Sequence, residues 1–269
     1  MDKKEQVICN NLNKETIEGS LLGNAKNLPV FVYDEIDSTN TEATRLIREH
    51  GLKHGLLTAD FQTAGRGRSG RSFFSPSHTG IYMSYVFTPP KGLEYASFAT
   101  TKACVCVLDA LLSYGFCPEI KWVNDIYIGG KKVVGILTEA ITSGRNEGSV
   151  VVGIGINIST EDFPDEIKDL AGSLSNSSEV SKLPSRNSII AHITNLLAEE
   201  LNDLEDFSYI KKYRQHSMLT GKNITFIENE VQKGAFVLDV DDKAGLVVRL
   251  NDGTIRTLRN GEVNTLRPE

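Results

Sequence analysis

Residues 62–71, called here the arginine loop, constrain this chain most, because three glycines and three arginines alternate there directly after the strand-like residues 56–61. Glycine lets backbone N–H groups approach a ligand closely, and arginine offers planar donors that fit phosphate and carboxylate oxygens. The pattern predicts a cationic loop that wraps an anionic ligand. Considered alone, it is equally typical of a flexible surface turn or of an RNA-binding arginine–glycine segment.

The overall charge argues against a general nucleic-acid binder. The 269 residues carry a net charge of -6, so the arginine loop is a local basic feature of an acidic protein. The length suits one large domain and one small one. The sequence contains neither a run of the roughly 18 apolar residues that a spanning helix needs nor a signal-peptide pattern after Met1. We therefore predict a cytoplasmic protein.

The cysteines indicate no metal site and no redox motif. They form no CxxC pair and no spacing typical of metal ligands. Reduced thiols suit a cytoplasmic compartment. The four residues are Cys9, Cys104, Cys106 and Cys117.

Two hydroxyl residues lie where a helix is predicted to begin, before the arginine loop. Residues 1–28 are polar and predict a lead-in with at most a short helix around 14–22, and residues 30–33 predict a strand. Thr39 and Glu42 match a capping box, which would leave the hydroxyls of Ser38 and Thr39 pointing outward. Ordinary capping is the simpler explanation, but loops at strand ends are where α/β folds bind ligands.

A carboxylate interrupts the apolar pattern further along the chain. Residues 121–128 read as a hydrophobic strand broken by Asn124 and Asp125. Burying an unpaired carboxylate is costly, so Asp125 is predicted to meet a cation, a metal or a substrate amine. In the hairpin that follows, Lys131 and Lys132 are either turn charges or partners of Asp125.

The remaining pattern predicts a core and a second domain. Residues 80–87 and 150–157 predict strands, and in the latter Gly153 and Gly155 open one face, either for a flat ligand or for close packing. The helix predicted at 95–114 has a core stripe of Ala103, Val107, Ala110, Leu111 and Tyr114. Further helices are predicted at 187–204 and 206–216. A small β-barrel is predicted from strands at 223–228, 231–240, 244–250 and 253–258.

In order, these segments resemble the motif series of biotin protein ligases. The similar segments are 37–40, 62–71, 121–125, 132–137 and 153–157, and residues 261–263 (Gly-Glu-Val) resemble the closing motif of that family. The arginine loop combined with Lys-Trp-x-Asn-Asp is highly specific, although Val123 stands where many members carry proline. Since residues 1–28 are too short for the N-terminal DNA-binding domain of some members, the resemblance is to the ligase-only class.

The resemblance implies an α/β (α+β) fold with a mixed-sheet catalytic domain of the biotin/lipoate ligase type and a C-terminal SH3-like β-barrel. The expected ranges are 1–28 for the lead-in, 29–218 for the catalytic domain and 219–269 for the barrel. It also implies a ligase that uses ATP and Mg²⁺ to form biotinoyl-5′-AMP and transfers biotin to a lysine of a biotin carboxyl carrier domain, as in acetyl-CoA carboxylase. DNA and membranes are not expected partners, and a homodimer is possible.

The resemblance also implies a site. The catalytic residues would be Lys132, Asp125 and Arg68. Biotin would be bound by Ser38, Thr39, Asn40, Gln62, Gly65, Arg66, Arg68, Lys132, Gly135 and Gly153. The nucleotide would be bound by Arg66, Arg68, Arg71, Trp122, Asn124, Lys132 and Asn157. Mg²⁺ would be held by Asn124 and Asp125.

Two other functions fit parts of the sequence, and the composition of the arginine loop also predicts its mobility. Lipoate ligases are similar in fold and chemistry, but the Gly-Arg-Gly-Arg sequence and the closing motif favour biotin. An RNA-binding module is expected to be basic overall, whereas this chain has a net charge of -6. We expect the arginine loop to be mobile without ligand, because its glycines raise the entropic cost of ordering and its arginines repel one another until an anion neutralises them.

Overall fold

The computed structural model describes residues 11–144, 147–177, 180 and 182–265. The chain forms a seven-stranded sheet with helices and a separate five-stranded sheet. This confirms the predicted α/β (α+β) fold with a mixed main sheet and a small C-terminal β-domain. Cys104 and Cys106 are buried and Cys117 is exposed, whereas Cys9 lies outside the described residues.

The main sheet carries the predicted strands. They are β1 (Val30–Ile36), β2 (Gly55–Gln62), β3 (Gly80–Phe87), β4 (Glu119–Lys121), β5 (Asp125–Ile128), β6 (Lys131–Gly144) and β7 (Glu147–Asn157). Their spatial order is β1-β2-β3-β7-β6-β5-β4. The β1–β2 pair is parallel and the remaining neighbours are antiparallel. Strands β3, β7 and β6 thus form the centre of the sheet.

The helices cover this sheet. They are α1 (Lys14–Gly19), α2 (Thr39–His50), α3 (Ala99–Ser113), α4 (Arg186–Glu200) and α5 (Ile210–Gln215). Of the predicted core stripe on α3, the four residues before Tyr114 are fully buried. Among the described residues, the stretch Leu93–Ser113 is long and apolar enough to cross a membrane by length and composition, but 67% of it is buried inside the fold. Core helices commonly have these properties.

The predicted capping box at α2 is wrong. The N-cap is Ser38, so Thr39 is the first helical residue, and the Ser38 side chain makes no capping hydrogen bond. Glu42 instead accepts hydrogen bonds from Tyr33 and Arg45. The hydroxyl residues do not point into solvent either, since Ser38 is 2% and Thr39 3% exposed. Both are buried against the sheet.

The strand predicted at 121–128, broken by Asn124 and Asp125, is two strands in the structure, because β4 ends at Lys121 and β5 begins at Asp125. The chain turns between β4 and β5, so that Lys121 pairs with Asp125. Asp125 pairs on its other side with Gly135 of β6. The turn thus places Asp125 inside the sheet, with a paired neighbour on each side.

The N-terminal residues pack onto the main domain. The predicted short helix is confirmed by α1. Four apolar side chains from this segment are buried in the main core: Ile17, Leu21, Ala25 and Leu28. Asn24 also donates to Glu199 at the C-terminal end of α4. The polar lead-in is therefore attached to the domain through a small set of apolar residues.

The C-terminal strands confirm the predicted β-domain. They are β8 (Asn223–Glu228), β9 (Val231–Val240), β10 (Leu246–Leu250), β11 (Ile255–Leu258) and β12 (Val263–Thr265). Their order is β11-β10-β9-β8-β12. Strand β12 was not predicted, because only three of its residues pair, yet it brings Gly261 and Glu262 to the arginine loop.

Candidate active site

The floor of the candidate site is one face of the central strands. Strand pairing puts one row of residues side by side: Tyr82, Gly155, Gly135 and Asp125. A second row consists of Ser84, Gly153 and Leu137. Paired residues point to the same face, as do residues two apart along a strand. The two rows therefore form one surface, with glycines at its centre and polar side chains at its edges.

A cavity lies on this surface, between the start of α2, the arginine loop and β12. It brings together most of the predicted site residues: Ser38, Thr39, Asn40, Gln62, Arg66, Arg68, Arg71, Trp122, Asn124, Asp125, Lys132, Gly135 and Gly153. Gly65 and Asn157 are not among the residues that line it. Gly65 instead packs on the loop, since a Cβ there would lie 2.4 Å from the Phe73 carbonyl oxygen.

One end of the cavity is a set of hydrogen-bonded polar side chains. The Gln62 Oε1 accepts from the Thr39 backbone N–H at 2.9 Å, and Gln62 Nε2 donates to Ser75 Oγ at 2.9 Å. Ser84 Oγ lies 2.8 Å from Thr39 Oγ1 and 2.6 Å from Asn40 Oδ1. Three of the predicted biotin-contacting residues, Thr39, Asn40 and Gln62, are thus held in place by hydrogen bonds to one another or to Ser75 and Ser84.

The arginines of the loop are paired with other protein groups. Arg66 binds Glu139 of β6 through both terminal nitrogens, at 3.0 and 2.7 Å. Arg68 donates to Asn124 Oδ1 at 2.8 Å and to the Gly261 carbonyl at 3.1 Å. Arg71 binds Glu262 through both terminal nitrogens. The premise that these arginines repel one another until a ligand arrives is therefore wrong, because Glu139 and Glu262 neutralise two of them.

An aromatic ring covers part of the glycine floor. A Cβ on Gly155 would lie 2.5 Å from the Phe73 ring, and a Cβ on Gly135 would lie 3.2 Å from it. The cavity volume is about 140 Å³, whereas pockets for small organic ligands hold roughly 300–1,000 Å³. A flat ligand lying on Gly155 would therefore require the Phe73 ring to move.

The cationic end of the cavity contains Lys132 and Asp125. Lys132 Nζ lies 2.7 Å from Asp125 Oδ1 and the lysine side chain is 34% exposed. Lys131 points away, because its Nζ donates to the backbone carbonyls of Lys168 and Asp169. Of the two hairpin lysines, the structure thus places only Lys132 in the cavity.

Neighbouring groups show that this end is partly desolvated. Burial lowers the pKa of Lys121 below its ordinary value, and burial raises the pKa of Tyr127 to about 12. The Lys121 Nζ lies 5.7 Å from the centre of the Tyr127 ring. Because charges interact more strongly where water is excluded, an anion placed here would be attracted strongly by Lys132 and Arg68.

Two residues that were predicted to contact the nucleotide donate hydrogen bonds to backbone carbonyls of the protein. Trp122 lines the cavity, but its indole N–H donates to the Ala244 carbonyl of the C-terminal domain at 2.8 Å. Asn157 is 4% exposed and its Nδ2 donates to the Gly172 carbonyl. Its Oδ1 has no hydrogen-bond partner among the described residues, but the side chain does not line the cavity.

The donor set fits a magnesium ion that is held mainly by phosphates. Mg²⁺ in nucleotide sites is bound through one or two carboxylates together with phosphate oxygens and waters. Asp125 supplies such a carboxylate, whereas Asn124 Oδ1 already accepts from Arg68. Within the described ranges, no group of three or more His, Cys, Asp or Glu side chains could hold a metal alone.

Several residues of the site were not predicted. They are Glu139, Ser75, Ser84, Tyr82 and Phe73. One feature of the sequence could have indicated Glu139: it is a charged residue on the same strand face as Gly135 and Leu137. Its partner Arg66 is 73 positions away in the sequence, so strand periodicity alone could not identify the pair.

Relatives of this chain include named ligases. Residues 32–157 match the model of the Biotin/lipoate A/B protein ligase family. The Bifunctional ligase/repressor BirA of Bacillus spizizenii is 35% identical over 229 residues, covering 82% of this chain and 69% of the relative. A Biotin--[acetyl-CoA-carboxylase] ligase of Mycobacterium tuberculosis is 28% identical over 226 residues, covering 79% of each.

Solved structures share the fold. The biotin protein ligase from Aquifex aeolicus in complex with biotin and ATP superposes with a TM-score of 0.74 at 24% identity, covering 89% of this chain and 99% of that chain. The family resemblance inferred from the motifs is thereby confirmed through sequence and fold together. The chain belongs to the biotin/lipoate A/B protein ligase family.

Proposed function

We propose that this protein is a biotin protein ligase, which activates biotin with ATP and transfers it to a lysine of a biotin carboxyl carrier domain. The observation that carries the proposal is the position of Lys132 and Asp125 at one end of a cavity that has glycines on its floor and is also lined by the arginine loop. The names of the relatives, among them the biotin protein ligase with bound biotin and ATP, support the same activity.

Biotin is proposed to lie with its ureido ring at the polar end of the cavity and its chain over the glycines. Ser38, Thr39, Asn40 and Gln62 surround that end with hydroxyl and amide groups. Such groups suit a ligand that carries both N–H donors and a carbonyl acceptor. The Phe73 ring must move from Gly155 to admit the rest of the molecule.

The first reaction is proposed to occur at Lys132. The biotin carboxylate attacks the α-phosphorus of ATP, a P–O bond forms, and the bond to pyrophosphate breaks. Both reacting groups are anions, and the Lys132 ammonium placed between them would offset their repulsion. Arg68 would add a second cation at the phosphate, since in the structure it binds neutral groups and not a carboxylate.

The second reaction transfers biotin to the carrier. The neutral amine of the acceptor lysine attacks the carbonyl of biotinoyl-AMP, an amide bond forms, and AMP leaves with the electrons of the broken C–O bond. The amine must lose a proton, and we propose that Asp125 orients it and accepts that proton. The closed arginine loop would meanwhile exclude water, which competes for the anhydride.

The cofactor and partners follow from this chemistry. Mg²⁺ would neutralise phosphate charge and bind through the Asp125 carboxylate. The carrier is proposed to be a domain of acetyl-CoA carboxylase or a related carboxylase. We propose the cytoplasm as the location. The domain boundaries at 28/29 and 218/219 and a homodimer also remain proposals.

The decisive measurement is biotin-dependent exchange of labelled pyrophosphate into ATP, with lipoate and octanoate in parallel. Exchange with biotin alone, followed by labelling of a carrier-domain lysine on addition of acceptor, is the expected result. Equal or faster exchange with lipoate would replace the proposal with a lipoate ligase. Asp242→Asn, which alters an exposed carboxylate of the C-terminal domain, serves as the control for protein preparation.

A further inference from the structure

Glu139 stands at an unusual place on the sheet. It lies on β6, on the face of Gly135 and Leu137, and pairs with Val151 of β7. Val151 belongs to a small apolar cluster with Ala43, Leu57 and Val86. A carboxylate at the border between this cluster and the polar end of the cavity is costly unless it is paired.

Two partners hold this carboxylate, and they come from different elements. Arg66 of the arginine loop binds both oxygens of Glu139. Asn40, at the start of α2, donates from Nδ2 to Glu139 Oε2 at 2.9 Å. The Glu139 side chain is 24% exposed. One carboxylate thus connects the arginine loop with a residue at the polar end of the cavity.

The contact fixes which way the Asn40 amide points. Its Nδ2 faces Glu139, and its Oδ1 accepts from Ser84 at 2.6 Å. In this orientation the amide fills the space above Gly153, where a Cβ would lie 2.2 Å from Asn40 Oδ1. Without the carboxylate, Asn40 Nδ2 would lose the shorter of its two hydrogen bonds and keep only the Leu137 carbonyl at 3.3 Å, so the amide would be held less firmly.

We propose that Glu139 is a positioning residue that couples closure of the arginine loop to the ureido-binding end of the cavity. The inference rests on the proposed function. When Arg66 reaches Glu139, the carboxylate is held against Asn40, and the polar floor takes the arrangement that biotin contacts. Glu139 therefore acts through Asn40 and Arg66 and does not touch the reacting atoms.

The test compares biotin binding by the full-length protein and its variants. Trp122 is the single tryptophan of the chain and lines the cavity, so its fluorescence reports binding. Glu139→Gln retains an acceptor for Asn40 but loses the charge that binds Arg66, and Glu139→Ala loses both. We expect biotin to bind about tenfold more weakly to the Gln variant, and more weakly still to the Ala variant, because hydrogen bonds to charged groups are strong.

A double-mutant cycle tests the route through Arg66. If Glu139 acts through Arg66, then Arg66→Gln with Glu139→Gln should bind biotin no more weakly than Arg66→Gln alone. The matched control is Glu228→Gln in the C-terminal domain, where the carboxylate binds Lys233 and Arg256 and is 29% exposed. This control should bind biotin with wild-type affinity.

The outcomes are distinguishable. Wild-type affinity in Glu139→Gln, or fully additive losses in the double variant, would overturn the inference while leaving the proposed function intact. A wild-type protein that fails to bind biotin would overturn both. Melting temperatures of all variants are compared. If Glu139→Gln binds biotin more weakly but melts at the same temperature as Glu228→Gln, the result supports a positioning role over a structural one.

Discussion

At the scale of single residues, the two adjacent lysines of the β5–β6 hairpin differ in what they contact. Lys132 lies beside Asp125 in the cavity, whereas Lys131 binds backbone carbonyls outside it. Methionine keeps the length of lysine and loses its charge. Lys132→Met should lower biotin-dependent pyrophosphate exchange by about 100-fold or more, as loss of other preorganised charges does. Lys131→Met should remain within a few-fold of wild type, and equal losses would refute the assignment of Lys132.

Gly153 allows a second prediction at this scale. A Cβ there would lie 2.2 Å from Asn40 Oδ1 and 2.8 Å from Asn40 Cγ, and Asn40 is pinned by Ser84 and Glu139. We expect Gly153→Ala to destabilise the protein by about 1–3 kcal/mol in urea unfolding and to weaken biotin binding.

The control for Gly153 is Gly19→Ala at the end of α1, since a Cβ on Gly19 would meet no heavy atom within 4 Å. This variant should change stability by less than about 1 kcal/mol. An unchanged Gly153→Ala protein would show that the Asn40 amide is free to move.

The sequence predicted the positions of these residues better than their contacts. Asp125, Gly153 and Gly155 were recognisable from the pattern of their strands, whereas Lys132 and Gly135 were identified through the family resemblance. Glu139 and Phe73 were missed, because a charged or aromatic residue in a strand or loop is ordinary and its partner is far away in the chain. Likewise, Trp122 was predicted as a nucleotide contact, and the acceptor of its N–H is 122 positions away.

At the scale of elements, the arginine loop has internal structure made by its own backbone hydrogen bonds. The Gly67 N–H donates to the Arg71 carbonyl and the Phe73 N–H to the Gly65 carbonyl, at 2.7 and 2.9 Å. The loop is also tied down by the Arg66–Glu139 and Arg71–Glu262 pairs. The sequence could not predict this, since the neutralising carboxylates lie on other elements.

The third prediction concerns hydrogen exchange in this loop. At low salt, the amides of Gly67 and Phe73 should exchange slowly without ligand. Raising the salt to about 1 M, where the Debye length is about 3 Å, should speed their exchange because the exposed ion pairs are screened. A biotinoyl-AMP analogue should restore protection. Fast exchange at low salt would instead support the original expectation of a mobile loop.

The sequence predicted strand boundaries correctly for long strands and incorrectly for short ones. Strands β3, β8 and β9 agree with the predicted ranges. The turn between β4 and β5 was predicted as part of one strand that Asn124 and Asp125 interrupt, because Trp122 and Val123 fit a strand as well as a turn. Strand β12 has three residues, too few for a periodic signal, and only the resemblance of residues 261–263 pointed to it.

At the scale of the whole molecule, the C-terminal domain contacts the main domain at two kinds of place. Glu262 and the Gly261 carbonyl bind Arg71 and Arg68 of the arginine loop. Away from the loop, Arg214 of α5 binds Asp242 at 2.9 Å. The first contact touches the cavity and the second does not. The C-terminal domain is thus positioned to affect the loop and not only to stabilise the fold.

The fourth prediction separates these two contacts. Glu262→Gln keeps the size of the side chain but removes the charge that binds both terminal nitrogens of Arg71. The loop should then leave the C-terminal domain more often, and biotinoyl-AMP should escape several-fold faster, which is measured as labelling of lysines on a bystander protein.

Asp242→Asn removes a charge of the same sign from a more exposed interdomain pair, with 93% of the carboxylate side chain exposed. Exposed pairs contribute little to stability, so this variant should retain the intermediate as wild type does. Because both variants lose one negative charge from the same domain, a general electrostatic effect would release the intermediate equally from both, and that result would refute a specific latch between Glu262 and the loop.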